Sequence, residues 1–130
     1  MKLAKALLLI IIFSLLLVGC SSNPANTVED FMNALLEGNT EETIELLAED
    51  LREEEGIEDM MQFVMTILQD FNSVEYETGE YDISNDSAEV EIKMNATDGN
   101  VVGSDLRMDE KVPLVKEDGN WKIANLNWLI

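Results

Sequence analysis

Apolar residues recur with two different spacings along the chain, and the change falls close to residue 72. Between residues 24 and 71 they return every third or fourth position, which is the period of an α-helix with one buried face. From Val74 onward they alternate with polar residues, which is the period of a strand with one buried face. The sequence therefore predicts one α+β domain in which helices come first and antiparallel strands follow.

Three helices are predicted in the first half of the chain. The first starts at Pro24 behind a cap at Asn23 and ends at Gly38-Asn39. The second starts near Thr40, and its apolar stripe consists of Ile44, Leu47, Ala48 and Leu51. The third follows Gly56, and its apolar side consists of Ile57, Met60, Met61, Val64, Ile67, Leu68 and Phe71.

Four to six strands are predicted in the second half. A turn at Asn85-Asp86 separates the first two strands, and a turn at residues 118–120 joins a strand at residues 111–116 to a last strand at residues 121–128. Pro113 lacks the backbone N–H that a sheet ladder needs, so it indicates an edge or a bulge. We therefore expect an antiparallel sheet with one polar face.

Residues 1–19 have the composition of a bacterial export signal. Lys2 and Lys5 precede an apolar run that is shorter than the ~20 residues a membrane-spanning helix needs. The end of the segment, Leu17-Val18-Gly19-Cys20, resembles the lipobox of bacterial lipoproteins. That resemblance implies cleavage before Cys20 and attachment of lipid to the Cys20 sulfur.

Cys20 then becomes the first residue of the mature chain. Residues 20–23 form a short tether, and residues 24–130 form the domain. Acyl chains such as palmitate contribute ~0.8 kcal/mol per buried methylene, so a cysteine that carries two acyl chains hardly leaves the membrane. We expect an extracytoplasmic, lipid-anchored protein, with inner and outer membranes both open. The alternative is an ordinary signal peptide that leaves Cys20 as a free thiol.

Charge and composition remove several classes of function. The 130 residues include 27 acids, 8 bases, one Cys and no His, so a histidine-based triad, a thiolate zinc site and an internal disulfide are all excluded. Removal of residues 1–19 takes away two lysines and no acid, which leaves 6 bases, 27 acids and a formal charge of −21. Such a chain is not a nucleic-acid binder, and we expect no cofactor.

The order of helices and turns is similar to that of a known superfamily. A proline-started helix, a break at Gly38-Asn39, a second helix starting at Thr40 and a closing Asp-Gly-Asn-Trp-Lys-Ile at residues 118–123 resemble the nuclear transport factor 2-like (cystatin-like) superfamily. More narrowly, the chain resembles secreted bacterial lipoproteins of that fold whose domain has no known function. The resemblance implies a cone in which three N-terminal helices pack on a curved antiparallel sheet, with a pocket at the open end.

Four aromatic residues of the strand half are candidates for lining such a pocket: Tyr76, Tyr81, Trp121 and Trp128. They would bind an apolar ligand with one polar contact, although aromatic residues in strands also fill cores. Some enzymes of the superfamily combine an Asp or His base with a Tyr or a protonated acid. A ketosteroid-isomerase-like or dehydratase-like activity is therefore an alternative, and it requires a carboxyl group buried in the pocket.

The acidic segment at residues 49–59 is a second candidate site. Hard cations such as Ca²⁺ bind carboxylate oxygens, and the candidate ligands are Glu53, Glu54, Glu55, Glu58 and Asp59. The spacing does not fit an EF-hand loop, and a run of acids is also typical of a solvated surface. Divalent-cation binding therefore stands as an alternative.

The sequence as a whole favours a non-catalytic binding or interaction module of the cell envelope. Its expected partners are the membrane, through the lipid on Cys20, and either an envelope protein or a small apolar ligand. A homodimer through the sheet is also expected from the superfamily resemblance.

Overall fold

The computed structural model of the protein describes residues 23–97 and 105–129, so the predicted export signal and Cys20 lie outside the described residues. The helices are α1 (Pro24–Glu37), α2 (Thr40–Glu45), α3 (Glu49–Arg52) and α4 (Ile57–Gln69). The strands are β1 (Ser73–Ser84), β2 (Ser87–Thr97), β3 (Leu106–Glu117) and β4 (Asn120–Ile123). The strands pair in chain order as one antiparallel sheet, which confirms the α+β prediction.

Helix α1 begins and ends where the sequence predicts. The side chain of Asn23 accepts a hydrogen bond from the Ala25 N–H (2.9 Å) and so caps the first turn, with Pro24 at the first helical position. Gly38 ends the helix in the left-handed conformation (φ 75°), which glycine adopts without steric cost. Val28, Phe31 and Leu35 form its fully buried face.

The prediction of the second helix is wrong beyond Glu45, where α2 ends. The backbone there leaves the helix because Leu47 forms a parallel bridge with Ile123. The Ala48 N–H donates to the Ile123 oxygen and the Ile123 N–H donates to the Leu46 oxygen, both at 2.9 Å. The chain then turns into α3, so the described residues form four helices where three were predicted.

The last strand is shorter than predicted, because β4 ends at Ile123 and not at Trp128. The next position on β3 is Pro113, whose oxygen accepts from the Ala124 N–H (2.9 Å). Pro113 has no N–H to return, so the ladder cannot continue. The sheet edge predicted at Pro113 is therefore present: from Pro113 towards Leu106, β3 has no partner strand among the described residues on its β4 side.

The hydrophobic core lies between the helices and one face of the sheet. Its described members all fall between Ala25 and Trp128, so residues 21–130 contain the whole described core. In β2 every second side chain is buried, as the alternating pattern predicts: Ala88, Val90, Ile92, Met94 and Ala96. Within the described residues, none of the helices has the length and apolar character needed to cross a membrane.

Candidate functional site

An apolar groove opens between α4, the paired ends of β2 and β3, and the last described residues of the chain. Its volume is about 310 Å³, at the lower end of the range of small-ligand pockets. The residues that shape it are Phe63, Ile67, Met94, Leu106, Met108 and Trp128. These residues come from four separate parts of the sequence, and only tertiary packing brings them together.

Three large apolar side chains on the groove are open to solvent. Phe63 is 63% exposed, Leu106 is 41% exposed and Ile67 is 37% exposed. Ile67 was expected in the buried stripe of its helix, and Met65 occupies the core in its place. Such a cluster around a concavity is typical of a binding surface, whereas single exposed apolar residues are ordinary.

One side of the groove is held by a ring contact and a hydrogen bond of Trp128, and the other side consists of flexible methionine side chains. The Trp128 ring packs edge-on against the buried Phe31 ring, with 5.8 Å between ring centroids, and the Trp128 Nε1–H donates to the Asn125 oxygen (2.9 Å). Met94 and Met108 lie opposite each other on β2 and β3. Their thioether side chains re-pack readily, so the groove can adjust to ligands of different shape.

The groove carries one acid and one base on its rim. Glu110 lies on the groove side of β3, in alternation with Leu106 and Met108. Arg107 belongs to the opposite face, where its Nε donates to the Asn95 side-chain oxygen (3.1 Å). The Glu110 carboxylate therefore faces the groove, and Arg107, although its Nε donates to Asn95, also contributes to the lining.

The structure does not bring the four predicted aromatic residues into one pocket. Trp128 alone lines the groove. Tyr81 is 44% exposed on β1. Trp121 is buried in the core, with the Lys116 ammonium 5.4 Å from its ring centroid, and its Nε1 has no hydrogen-bond partner among the described residues.

Tyr76 links the sheet to α1. Its hydroxyl donates to the Glu29 backbone oxygen (3.3 Å) and contacts the Asn33 side-chain oxygen. The side chain is half-buried, as its alternation with Val74 predicts. Burial raises the pKa of the Tyr76 hydroxyl above 10.0, and the nearby carboxylates of Glu29 and Asp30 raise it further. The hydroxyl is therefore a structural donor and stays protonated at neutral pH.

No carboxyl group in residues 23–97 or 105–129 is buried. The buried polar side chain in those ranges is Thr43, whose hydroxyl donates to the Asn39 oxygen (2.7 Å). An acid–base mechanism of the ketosteroid-isomerase type needs a carboxyl group in an apolar environment. The described residues contain no carboxyl group of that kind.

The acidic segment lies on the surface between α3 and the first turn of α4. Its predicted ligands are exposed: Glu53, Glu54, Glu55, Glu58 and Asp59. Over the described ranges, no three acidic side chains converge in a way that would hold a metal ion. The geometry therefore lends the cation-binding alternative no support.

The outer face of the sheet, on the side away from the helices, is covered by charged side chains. Lys93 lies between Glu77 on one neighbouring strand and Asp109 on the other, and Glu91 lies opposite Lys111. Opposite charges on facing positions stabilise a sheet by roughly 0.2–1 kcal/mol per pair. This face offers little apolar area to the homodimer that was expected through the sheet.

Sequence reasoning missed Phe63 and Leu106, although Phe63 carried a signal. It lies two positions after the buried Met61, which places it off the buried stripe of α4. A large aromatic residue on the polar side of an amphipathic helix indicates an exposed apolar contact. Leu106 gave no comparable signal, because its exposure depends on where β3 begins beside α4.

Solved structures that resemble this one share the nuclear transport factor 2-like fold. A candidate ketosteroid isomerase from Shewanella frigidimarina NCIMB 400 is 26% identical, with a TM-score of 0.62, over 79% of this chain and 92% of that one. A candidate NTF2-like transpeptidase from Campylobacter jejuni is 20% identical, with a TM-score of 0.56, over 80% of this chain and 99% of that one. The chain therefore has a nuclear transport factor 2-like α+β fold.

The family of the chain follows from its sequence. A family model described as a domain of unknown function, DUF4878, matches residues 18–124. The chain belongs to that family. No curated protein matches it.

Proposed function

We propose that this protein is a lipid-anchored, extracytoplasmic binding module that holds an apolar group in the groove and performs no chemistry on it. The observation that carries the proposal is the concave apolar surface around Phe63, Ile67 and Leu106, which are exposed in the described structure. Burial of such side chains against a ligand contributes about 25 cal/mol per Å² of apolar area. The nuclear transport factor 2-like fold supports a binding role, because it is a scaffold for pockets of many kinds.

The groove suits an apolar ligand better than a polar one. Its shape depends on aromatic, leucine, isoleucine and methionine side chains, and Glu110 is the acid directed into it. A volume of about 310 Å³ accommodates one or two large apolar side chains or a short acyl chain. The ligand is therefore small, or it is the apolar side of a larger partner.

A neutral apolar dye tests the groove. We expect Nile red to bind residues 21–130 with a blue-shifted emission, and Phe63→Ser to lower the affinity about tenfold through loss of an anchor residue. Tyr81→Ser is the matched control, because Tyr81 is also an exposed aromatic residue and does not line the groove. Equal dye binding by both variants would overturn the proposal.

The anchor at Cys20 is a separate part of the proposal. The pattern Leu17-Val18-Gly19-Cys20 supports it, and the family match begins at residue 18 and so includes Cys20. Labelled palmitate added to growing cells should enter the wild-type protein and not Cys20→Ser. Retention of label by Cys20→Ser would refute lipidation at this residue.

An assay for ketosteroid isomerase activity tests the proposal that the protein performs no chemistry. This activity is chosen because the similar structure from Shewanella frigidimarina is a candidate ketosteroid isomerase. Tyr76 is the tyrosine that such an activity would use, and its hydroxyl contacts α1. The described residues contain no buried carboxyl group to act with it. We expect no turnover of a steroid ketone when ultraviolet absorbance is followed. Turnover that is lost in Tyr76→Phe would favour the enzyme alternative.

A further inference from the structure

The helical half of the domain has a strongly one-sided charge. Residues 24–72 contain 14 acids, and Arg52 is the one base of that segment in the sequence. The groove lies along the last helix of this half. A partner that approaches the groove therefore meets a negative potential, which favours positive charge on the partner and accelerates its association.

The same sign of charge is repeated at the groove itself. Asp59, Phe63 and Ile67 are spaced four residues apart on α4 and so lie on one side of the helix, with the acid at the end of an apolar stripe. Glu110 supplies a second carboxylate on the β3 side, and Arg107, whose Nε donates to the Asn95 side chain, is the one base among the described residues that line the groove. The groove thus combines apolar contact area with negative charge at its rim.

From the charge and the stripe we infer that the groove receives a cationic amphipathic segment of another protein, with its apolar side chains in the groove and its Lys or Arg residues towards Asp59 and Glu110. This inference rests on the proposed function and names its partner class. A second copy of this chain is disfavoured, because the formal charge of −21 repels an identical chain. Anionic lipid is disfavoured by the same charge.

Three synthetic peptides test the inference. They share one helical apolar stripe of Leu and Phe, lack Trp, and carry Lys, Gln or Glu at all other positions. Binding to residues 21–130 is followed by tryptophan fluorescence, because Trp128 lines the groove. At 50 mM NaCl we expect the Lys peptide to bind about tenfold more tightly than the Gln peptide, and this advantage to shrink to about twofold at 500 mM NaCl.

Two pairs of variants separate specific docking from general attraction between opposite charges. Phe63→Ser should weaken the Lys peptide about tenfold, whereas Tyr81→Ser should leave it unchanged. Glu110→Gln should weaken the Lys peptide about threefold and leave the Gln peptide unchanged, whereas Glu80→Gln, an exposed acid on β1, should affect neither. All four positions are exposed, so the variants are expected to fold.

The outcomes distinguish this inference from the proposed function. If Nile red binding depends on Phe63 but the three peptides bind equally at 50 mM NaCl, the cationic partner is wrong and the apolar groove stands. If neither dye nor peptide depends on Phe63, both fail. Binding of residues 21–130 to phosphatidylglycerol vesicles, or a dimer in sedimentation, that is abolished by Phe63→Ser would overturn the inference in favour of lipid or a second copy.

Discussion

The groove and the outer face of the sheet are built from adjacent residues of the same two strands. Met94 and Met108 face each other on the groove side, and Lys93 and Asp109 face each other on the outer side. The outer face carries charges of both signs: Lys93 lies between Glu77 and Asp109, whereas Asp82 faces Glu89. The groove side leaves apolar area without a partner. The groove side therefore has apolar area open to solvent, whereas the outer face is mostly charged.

The largest expected effect is the difference in stability between a substitution beneath the groove, at Phe31, and one on its rim, at Phe63. Phe31→Ala removes a fully buried ring that packs against Trp128 and should lower the free energy of unfolding by about 3–5 kcal/mol. Phe63→Ala removes the same side chain from an exposed site and should change it by less than about 0.5 kcal/mol. Urea denaturation measures both values, and similar losses would show that the Phe63 side chain is not exposed.

The two tryptophans on the groove side of the sheet provide a second matched pair. Trp128→Phe removes the hydrogen bond from Nε1 to the Asn125 oxygen, whereas Trp121→Phe removes a buried N–H that has no partner among the described residues. Both changes remove the same atoms. Trp128→Phe should therefore be more destabilising by about 1 kcal/mol in urea denaturation, and the reverse order would contradict the described environments.

Tyr76→Phe tests the link between the groove side of β1 and α1. Loss of the hydroxyl contacts to Glu29 and Asn33 should lower the free energy of unfolding by about 0.5–1.5 kcal/mol at pH 7. The folded-state pKa of Tyr76 lies above 10.0, so the unfolded chain loses this proton first. Wild-type stability should then fall as the pH rises above 10, more steeply than that of Tyr76→Phe. Parallel pH curves for the two proteins would argue against a raised pKa.

The smallest effect is expected on the outer face. Lys93→Glu places a third carboxylate between Glu77 and Asp109. It should lower the free energy of unfolding by about 0.5–1 kcal/mol in 50 mM NaCl, and part of this loss should be recovered in 500 mM NaCl. Nile red binding in the groove should not change. A variant that also loses dye binding would show that the two faces are coupled.

The repeating parts of the fold were predictable from sequence, because their period and caps are local. Pro24, Gly38 and Gly56 mark helix ends through backbone geometry alone, and β2 shows its buried side by strict alternation. The second helix was not predictable beyond Glu45, because the backbone of Leu47 pairs with Ile123 in a distant segment. The groove was only hinted at by Phe63, since its other residues become neighbours through strand pairing and helix packing.

The bridge between Leu47 and Ile123 also constrains when the domain can fold. Strand β4 and its bridge to Leu47 come from a segment late in the chain, and until that segment is present the Ala48 N–H and the Leu46 oxygen lack their partner at Ile123. Contacts between residues so far apart in sequence form late and slowly. A nascent chain therefore completes its sheet only after residues 120–123 have been synthesised.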